Sequence, residues 1–291
     1  IFGGHLDYRM AHMINGTSVG MNISRADSFS RVDFQVDRET GQILDRQIFP
    51  PQVNVVPRPA IYEGYPLQAI PAVEEIATAA LAAASDLQAQ QLGVVLEEPF
   101  PIGADMNLGL HNLVTEALLD SFDVDIAMHN VRGGLRRGLP AGELTYGAVY
   151  EMSPFDNIAT IHTISGSDLR RVIASESTRF RRVAFAGMRV FVQCEASEIG
   201  VRILRDDGSE ILDNDEIRLL TSDYLWLGGD NILTPIIPPG GFELDLRQPL
   251  IRDALVEWFR QRGGTMHPAD WRSHAEPKWN LPAENFSGCA S

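Results

Sequence analysis

The spacing of apolar residues changes period several times along the chain, and each change predicts a new element. From Thr17, "TSVGMNIS" and "SRVDFQVDRETGQILDRQIF" alternate apolar and polar positions. That pattern predicts strands, with Val32, Phe34 and Val36 on one face and "RETGQ" as the turn of a hairpin. The stretch "PPQVNVVPRPAIYEGYP" carries five prolines and is not expected to hold regular structure for long. In "PAVEEIATAALAAASDLQAQQLG", Val73, Ile76, Ala77, Ala80, Leu81, Ala84 and Leu87 recur at helical spacing. A connecting helix is expected there, starting near Pro71, stopping at Gly93 and reaching ~33 Å at ~1.5 Å per residue.

Beyond Gly93, strands and helices alternate. "LGLHNLVTEALLDSF" places Leu110, Leu113, Val114, Ala117 and Leu118 on one helical stripe, followed by a strand "VDIAMH", a glycine-rich loop and a strand "IATIHTI". "SGSDLRRVIA" opens another helix with Ser165 or Ser167 as its N-cap. Three further strands are expected, "RVFVQC", "IGVRIL" and "EIRLLTSDYLWL", with "RDDGSE" as a hairpin turn between the second and third. "PLIRDALVEWFRQRGG" is a last amphipathic helix ended by glycines. The polar tail from Thr265 carries no assignable pattern, and no internal repeat is evident.

Charge narrows the classes of partner. A formal net charge of -15, with no basic run, opposes binding to a nucleic-acid polymer. No apolar segment approaches the ~20 residues of a membrane span. Lys278 is the only lysine, and no Lys or Arg stands between Arg58 and Arg132, so an anion site must draw its cations from later in the chain. Cys194 and Cys289 are too few for a metal cluster and leave a single disulfide open.

Three loops and one strand end carry candidate chemistry. In "GGHLD", His5 and Asp7 stand two residues apart, so on an extended segment both reach one side and can share a metal; a surface loop with a hydrogen-bonded histidine is the alternative. In "HNVRGGLRRGLPAG", Asn130, the glycine pair and Arg132, Arg136 and Arg137 can cradle a small anion, or form a solvated loop with scattered arginines. In "SPFDN", Phe155 follows Pro154 and either fills the core or walls a slot for a flat ring. "SDYLWLGGDN" brings Tyr224 to a doubled glycine and Asp230, which is a buried strand closing in a turn unless other residues converge on it.

In their order and spacing, "LVTEALL", "DIAMHNVRGGLRRGLPAGELTYGAVYEMSPFDN", "ISGSDLRRVI" and "TSDYLWLGGDN" resemble the C-terminal substrate domain of the 5'-nucleotidase family of metallophosphoesterases. "GGHLD" with "NGTSVGMNISRADSFSRVDFQVDRETGQI" is similar to the closing strands of that family's N-terminal metal domain. The resemblance implies an α+β fold: a mixed-sheet 5'-nucleotidase C-terminal-like domain, preceded by the end of a metallophosphoesterase domain and a connecting helix. The expected boundaries are 1–57 for the metal-domain remnant, 58–92 for linker and helix, 93–265 for the substrate-binding domain and 266–291 for the tail.

The resemblance also implies roles. Phe155 and Tyr224 would sandwich a nucleobase, Asp230 would hydrogen-bond the nucleoside, and Gly228 and Gly229 would allow the tight turn beside it. Arg136, Asn130 and the backbone of Gly133 and Gly134 would bind phosphate. His5 and Asp7 would be two ligands of a divalent metal pair, of zinc, manganese or similar ions. The remaining ligands and a catalytic His/Asp pair lie upstream of "GGH" in the family pattern, so the metal pair is expected to be incomplete in this chain, which is not expected to hydrolyse phosphate esters unaided.

Two features depart from the family pattern. "PFPIGAD" stands where the family sets phosphate-binding arginines, and the glycine loop is longer than usual, which leaves Arg132 and Arg137 as the nearest substitutes. The expected function is therefore the substrate-recognition part of a metal-dependent phosphoester hydrolase acting on nucleotides, of the 5'-nucleotidase or 2',3'-cyclic phosphodiesterase kind. A non-catalytic nucleotide-binding module and a hydrolase of a non-nucleotide ester or thioester are the alternatives. Family habit implies a periplasmic or extracellular location, a nucleotide or nucleoside as the bound small molecule, and an N-terminal metal domain as partner.

Overall fold

The computed structural model describes residues 1–6, 8–23, 27–54, 61–103, 109–131, 133–179, 182–195, 198–271 and 277–281. The chain divides into two units, Ile1–Ala79 and Ala80–Ser291. In the first, β1 (Phe2–Gly3), β2 (Met10–Ile14) and β3 (Thr17–Met21) form a sheet in the order β1-β3-β2. A long hairpin of β4 (Ser28–Val36) and β5 (Ile43–Val53) follows, and β6 (Ile61–Tyr62) pairs with β7 (Tyr65–Pro66).

The expected β4–β5 turn is present: the Asp37 carboxylate accepts from the Glu39 and Thr40 amides, and Gly41 takes φ 71°. Two details differ from the pattern reading. Phe34 and Val36 are exposed rather than forming a covered stripe with Val32. Strand β5 also runs through Pro50 and Pro51, opposite a register shift between Phe29 and Arg31; such a bulge relieves the ladder of the donors that proline lacks.

Helix α1 (Pro71–Gln88) is the connecting helix, and none of its residues is buried. It stops short of Gly93, which instead lies at φ 75° inside β8 (Gln91–Leu96). Leu92, Val94 and Leu96 alternate inward along β8, a period-two signal too short to stand out beside the helix. The remaining elements are α2 (Gly109–Ser121), β9 (Ile126–Asn130), β10 (Gly142–Thr145), α3 (Tyr146–Met152), β11 (Ala159–Ser165) and α4 (Gly166–Thr178). After them come β12 (Val183–Ala186), β13 (Met188–Glu195), β14 (Glu198–Arg205), β15 (Glu216–Ser222), α5 (Asp223–Trp226), α6 (Ile251–Arg262), β16 (Gly264–Met266) and β17 (Trp279–Asn280).

The centre of the second unit is a four-stranded mixed sheet, β11-β15-β9-β12. It is apolar on both faces because alternate residues of one strand enter different cores. Ile126 and Met128 of β9, with Ile217 and Leu219 of β15, join Leu169, Val172 and Ile173 of α4 and the β14-β13-β17 sheet. Ala127 and Leu220 join Leu110, Leu113, Val114, Ala117 and Leu118 of α2, Leu255 and Phe259 of α6, and the β10-β8-β16 sheet. Each fully buried Leu or Phe contributes about 1.5–3 kcal/mol, so both faces are committed to packing.

Two strand expectations are corrected. "EIRLLTSDYLWL" is not one strand, because Ser222 caps α5 by accepting from the Leu225 amide, which places Tyr224 on a single helical turn. "RDDGSE" does turn at Gly208 but does not join β14 to β15: β14 pairs with β13, and β15 belongs to the central sheet. The tail, unassigned from sequence, supplies β17, parallel to β13.

Between α2 and the sheet, His111 and His129 are buried with ring centres 6.2 Å apart. Burial, reinforced by His111, lowers the His129 pKa from 6.5 to about 3, and burial also lowers that of His111. The unfolded chain then binds more protons below pH 6.5, so stability present above that pH is lost as pH falls toward 3. In chelator-containing buffer, urea melts between pH 7 and 4.5 are expected to show His129→Gln weakening this loss by up to about 1.4 kcal/mol per pH unit; an unchanged slope would refute a buried neutral His129. Ser165 caps α4 reciprocally with Asp168, and Ser165→Ala should cost about 1 kcal/mol in the same melts.

Candidate nucleotide site

Strand direction gathers the candidate residues. β15 runs parallel to β9, while β11 and β12 run antiparallel to their neighbours β15 and β9. The ends of β9 and β15 and the starts of β11 and β12 therefore share one edge of the sheet. Asn130 lies opposite Val183 and Ala159 opposite Ser222, so the segments 130–136, 153–158, 182 and 222–231 all emerge there.

Asp230 is the junction of this edge. Its carboxylate accepts from Asn130 Nδ2 at 2.8 Å and from the Tyr224 hydroxyl at 3.0 Å, and its carbonyl accepts from Arg182 Nη1 at 2.8 Å. Gly228, Asp230 and Asn231 all take positive φ, at 93°, 53° and 56°, a bend that glycine, Asp and Asn tolerate best. A Cβ on Gly229 would lie 2.4–2.5 Å from three atoms of the Tyr224 ring. The ring therefore rests flat against Gly229, yet 43% of the residue stays exposed. Burial, then the hydrogen bond it donates to Asp230, pushes the Tyr224 phenol above its usual pKa.

Phe155 is half-buried, with the Arg136 guanidinium 5.0 Å from its ring centre. Arg136 itself is exposed, and its amide donates to the Met152 carbonyl. Two contacts fix the Phe155 loop. Buried Arg252, in the first turn of α6, donates to the Phe155 carbonyl at 3.2 Å and to Asp156 at 2.8 Å. Ile158 and Asp223 bond reciprocally, the Ile158 amide to the Asp223 carboxylate and the Asp223 amide to the Ile158 carbonyl, both at 3.0 Å. The second contact couples the Phe155 loop directly to the turn that carries Tyr224.

The glycine loop is held as closely. Gly133 takes φ 84°, and a Cβ on Gly134 would lie 2.4 Å from both the carbonyl and the side-chain oxygen of Asn130. Of the two substitute cations, Arg137 faces Glu151 at 3.7 Å, and Arg132 lies outside the described residues. The anchors Arg182, Glu176, Asp223 and Arg252 escaped the sequence reading. Glu176 is 0% exposed and binds Arg182 through both carboxylate oxygens, and a carboxylate on the buried face of an amphipathic helix was the signal available.

The metal candidates lie in the first unit. His5 is exposed at φ 75°, and Asp7 lies outside the described residues. Among the described residues no three His, Cys, Asp or Glu side chains converge as metal ligands, so these residues do not by themselves fit a metal pair. No helix of the described residues is long and apolar enough to cross a membrane.

Residues 101–235 match the family model described as 5'-nucleotidase, C-terminal domain. Endonuclease YhcR of Bacillus subtilis (strain 168) is 26% identical over 182 residues, which is 60% of this chain and 14% of that protein. The 5'-nucleotidase precursor of Thermus thermophilus is similar in fold, with a TM-score of 0.62 at 16% identity, over 93% of this chain and 53% of that one. The sulfate thiohydrolase SoxB of the same organism gives a TM-score of 0.57 at 16% identity, over 98% and 50%. The chain thus spans about half the length of these solved structures and a smaller share of the curated relative. The mixed-sheet fold and the family match agree: residues 101–235 of this chain are similar to the 5'-nucleotidase C-terminal domain.

Proposed function

We propose that the second unit is the substrate-recognition part of a nucleotide-processing phosphoester hydrolase. The nucleobase stacks between Phe155 and Tyr224, Asp230 hydrogen-bonds the nucleoside, and Arg136, Asn130 and the backbone of Gly133 and Gly134 receive the phosphate. The observation that carries this reading is the Asn130–Asp230–Tyr224 cluster at the same sheet edge as Phe155 and Arg136. Tyr224 has one face against Gly229 and remains substantially exposed, as a stacking platform requires. Arg136 lies over Phe155, within reach of a change of partner when an anion arrives. Metal-assisted cleavage would need ligands beyond those the described residues supply, with His5 and Asp7 contributing to a divalent metal pair.

Two neighbouring chemistries bear on this reading. The name of the relative YhcR is that of an endonuclease, but the net charge of -15 favours a small nucleotide over a polymer here. SoxB shares the fold without a nucleotide in its name, so base stacking is what separates a nucleotide ligand from another ester. Export from the cytoplasm fits a disulfide-bonded Cys194.

Calorimetric titration of the chain with adenosine and AMP tests the assignment. Tyr224→Ala should weaken both ligands about 5- to 150-fold, the span of ~1–3 kcal/mol per stacked base. Arg136→Ala should weaken AMP and leave adenosine nearly unchanged. Affinities untouched by Tyr224→Ala, or no adenosine binding by the wild type, would refute the clamp. Gly134→Ala should weaken AMP as strongly as Asn130→Ala, because its methyl displaces Asn130; equal affinity for wild type and variant would show that the loop does not touch phosphate.

A further inference from the structure

Beneath the glycine loop lie two imidazoles for which the nucleotide site has no use. His111, on α2, is 0% exposed, and His129, on β9, is 6% exposed. His111 Nε2 donates to the Gly103 carbonyl at 2.9 Å, which leaves Nδ1 as a bare lone pair. His111 Nδ1 and His129 Nε2 are both buried and have no hydrogen-bond partner. A buried polar atom left unpaired costs about 1–3 kcal/mol, and two on neighbouring rings call for a common occupant.

We propose that His111 and His129 form a buried two-coordinate site for one transition-metal cation that imidazole accepts, Cu⁺. Ring separation supports it. A ring nitrogen lies ~1.2 Å from the ring centre and metal–imidazole bonds measure about 2.0–2.1 Å, so two rings sharing an ion have centres at most about 6.5 Å apart. The observed separation of 6.2 Å lies just inside that limit, so the two bonds must be nearly opposed, as in two-coordinate Cu⁺; the tetrahedral angle of zinc would bring the centres to about 5.3 Å. A direct hydrogen bond between two ring nitrogens would instead bring the centres within about 5.6 Å.

The protonation state and surroundings agree. Burial keeps both rings neutral, the form that binds metal. A ligating histidine characteristically donates its other ring nitrogen to a carbonyl, as His111 does to Gly103. A buried water usually makes about three hydrogen bonds, whereas the orphaned atoms here offer two partners. Gly134 packs against the same histidine, its Cβ position 2.6 Å from His129 Cε1, so a bound cation would place positive charge directly under the loop.

The test uses the whole chain, labelled with nitrogen-15 and stripped with a chelator. It is titrated with Zn²⁺ and, in anaerobic ascorbate, with Cu⁺, while long-range proton–nitrogen correlation spectra follow each imidazole. One equivalent of Cu⁺ should shift His111 Nδ1 and His129 Nε2 together, leaving His111 Nε2 protonated, while Zn²⁺ should not. His111→Leu and His129→Leu should each lose that equivalent, while His5→Ala keeps it. If Cu⁺ does not move both nitrogens, or moves only His5, the proposal fails. The wild-type spectra decide the matter even if a variant folds poorly, and nucleotide binding plays no part in the readout.

Discussion

Asp230 can serve three partners because its backbone is bent into the left-handed region between Gly228 and Asn231. That bend turns its carboxylate toward Asn130 and Tyr224 and its carbonyl toward Arg182. The arrangement holds only while Arg182 is itself held. Glu176, wholly buried on α4, accepts from the Arg182 amide and from both sides of its guanidinium. Removing Arg182 would strand the buried Glu176 carboxylate in a low-dielectric interior, a loss of about 3–5 kcal/mol. The exposed edge that carries the candidate residues thus hangs on an ion pair set behind it.

The sheet explains why the candidate residues gather at an edge. Both faces of β11-β15-β9-β12 are buried, one under α2 and α6 and the other under α4 and a second sheet. Only the strand ends remain free to carry loops of variable chemistry. Ligands of open mixed and parallel sheets generally bind beyond the carboxyl ends of their strands, and β9 and β15 end at the edge where Asn130 and Tyr224 emerge.

Around that edge, contact residues and anchoring residues divide the work. Phe155, Arg136 and Tyr224 present exposed or half-exposed surface, whereas Arg252, Asp223 and Ser222 fix the backbone that bears them. The reciprocal Ile158–Asp223 pair ties the Phe155 loop to the turn that bears Tyr224 through one main-chain and one side-chain hydrogen bond. The buried imidazoles under the glycine loop belong to the same logic, since their spacing is imposed by α2 and β9 and not by the loop above them.

Much of this was legible in the chain itself. Apolar periodicity placed α2, β9, β11, α4, β13, β14 and α6 close to where they lie, because those elements bury a stripe or a face and the stripe must be written locally. Ser165 and Gly228 were readable for a similar reason, since caps and positive-φ turns depend on the residue at the position, and Gly229 because only a missing Cβ lets the Tyr224 ring lie against it. The misreadings also have local causes: Gly93 and Pro51 are tolerated by a bulge or a twist in a paired strand, and Tyr224 left its strand because Ser222 capped a helical turn. Tertiary structure alone decided that β14 pairs with β13 and that β15 runs beside β9. It alone brought Arg182 to Asp230, 48 residues away, and His111 to His129, because such partners meet through the order and direction of strands, which no local pattern encodes.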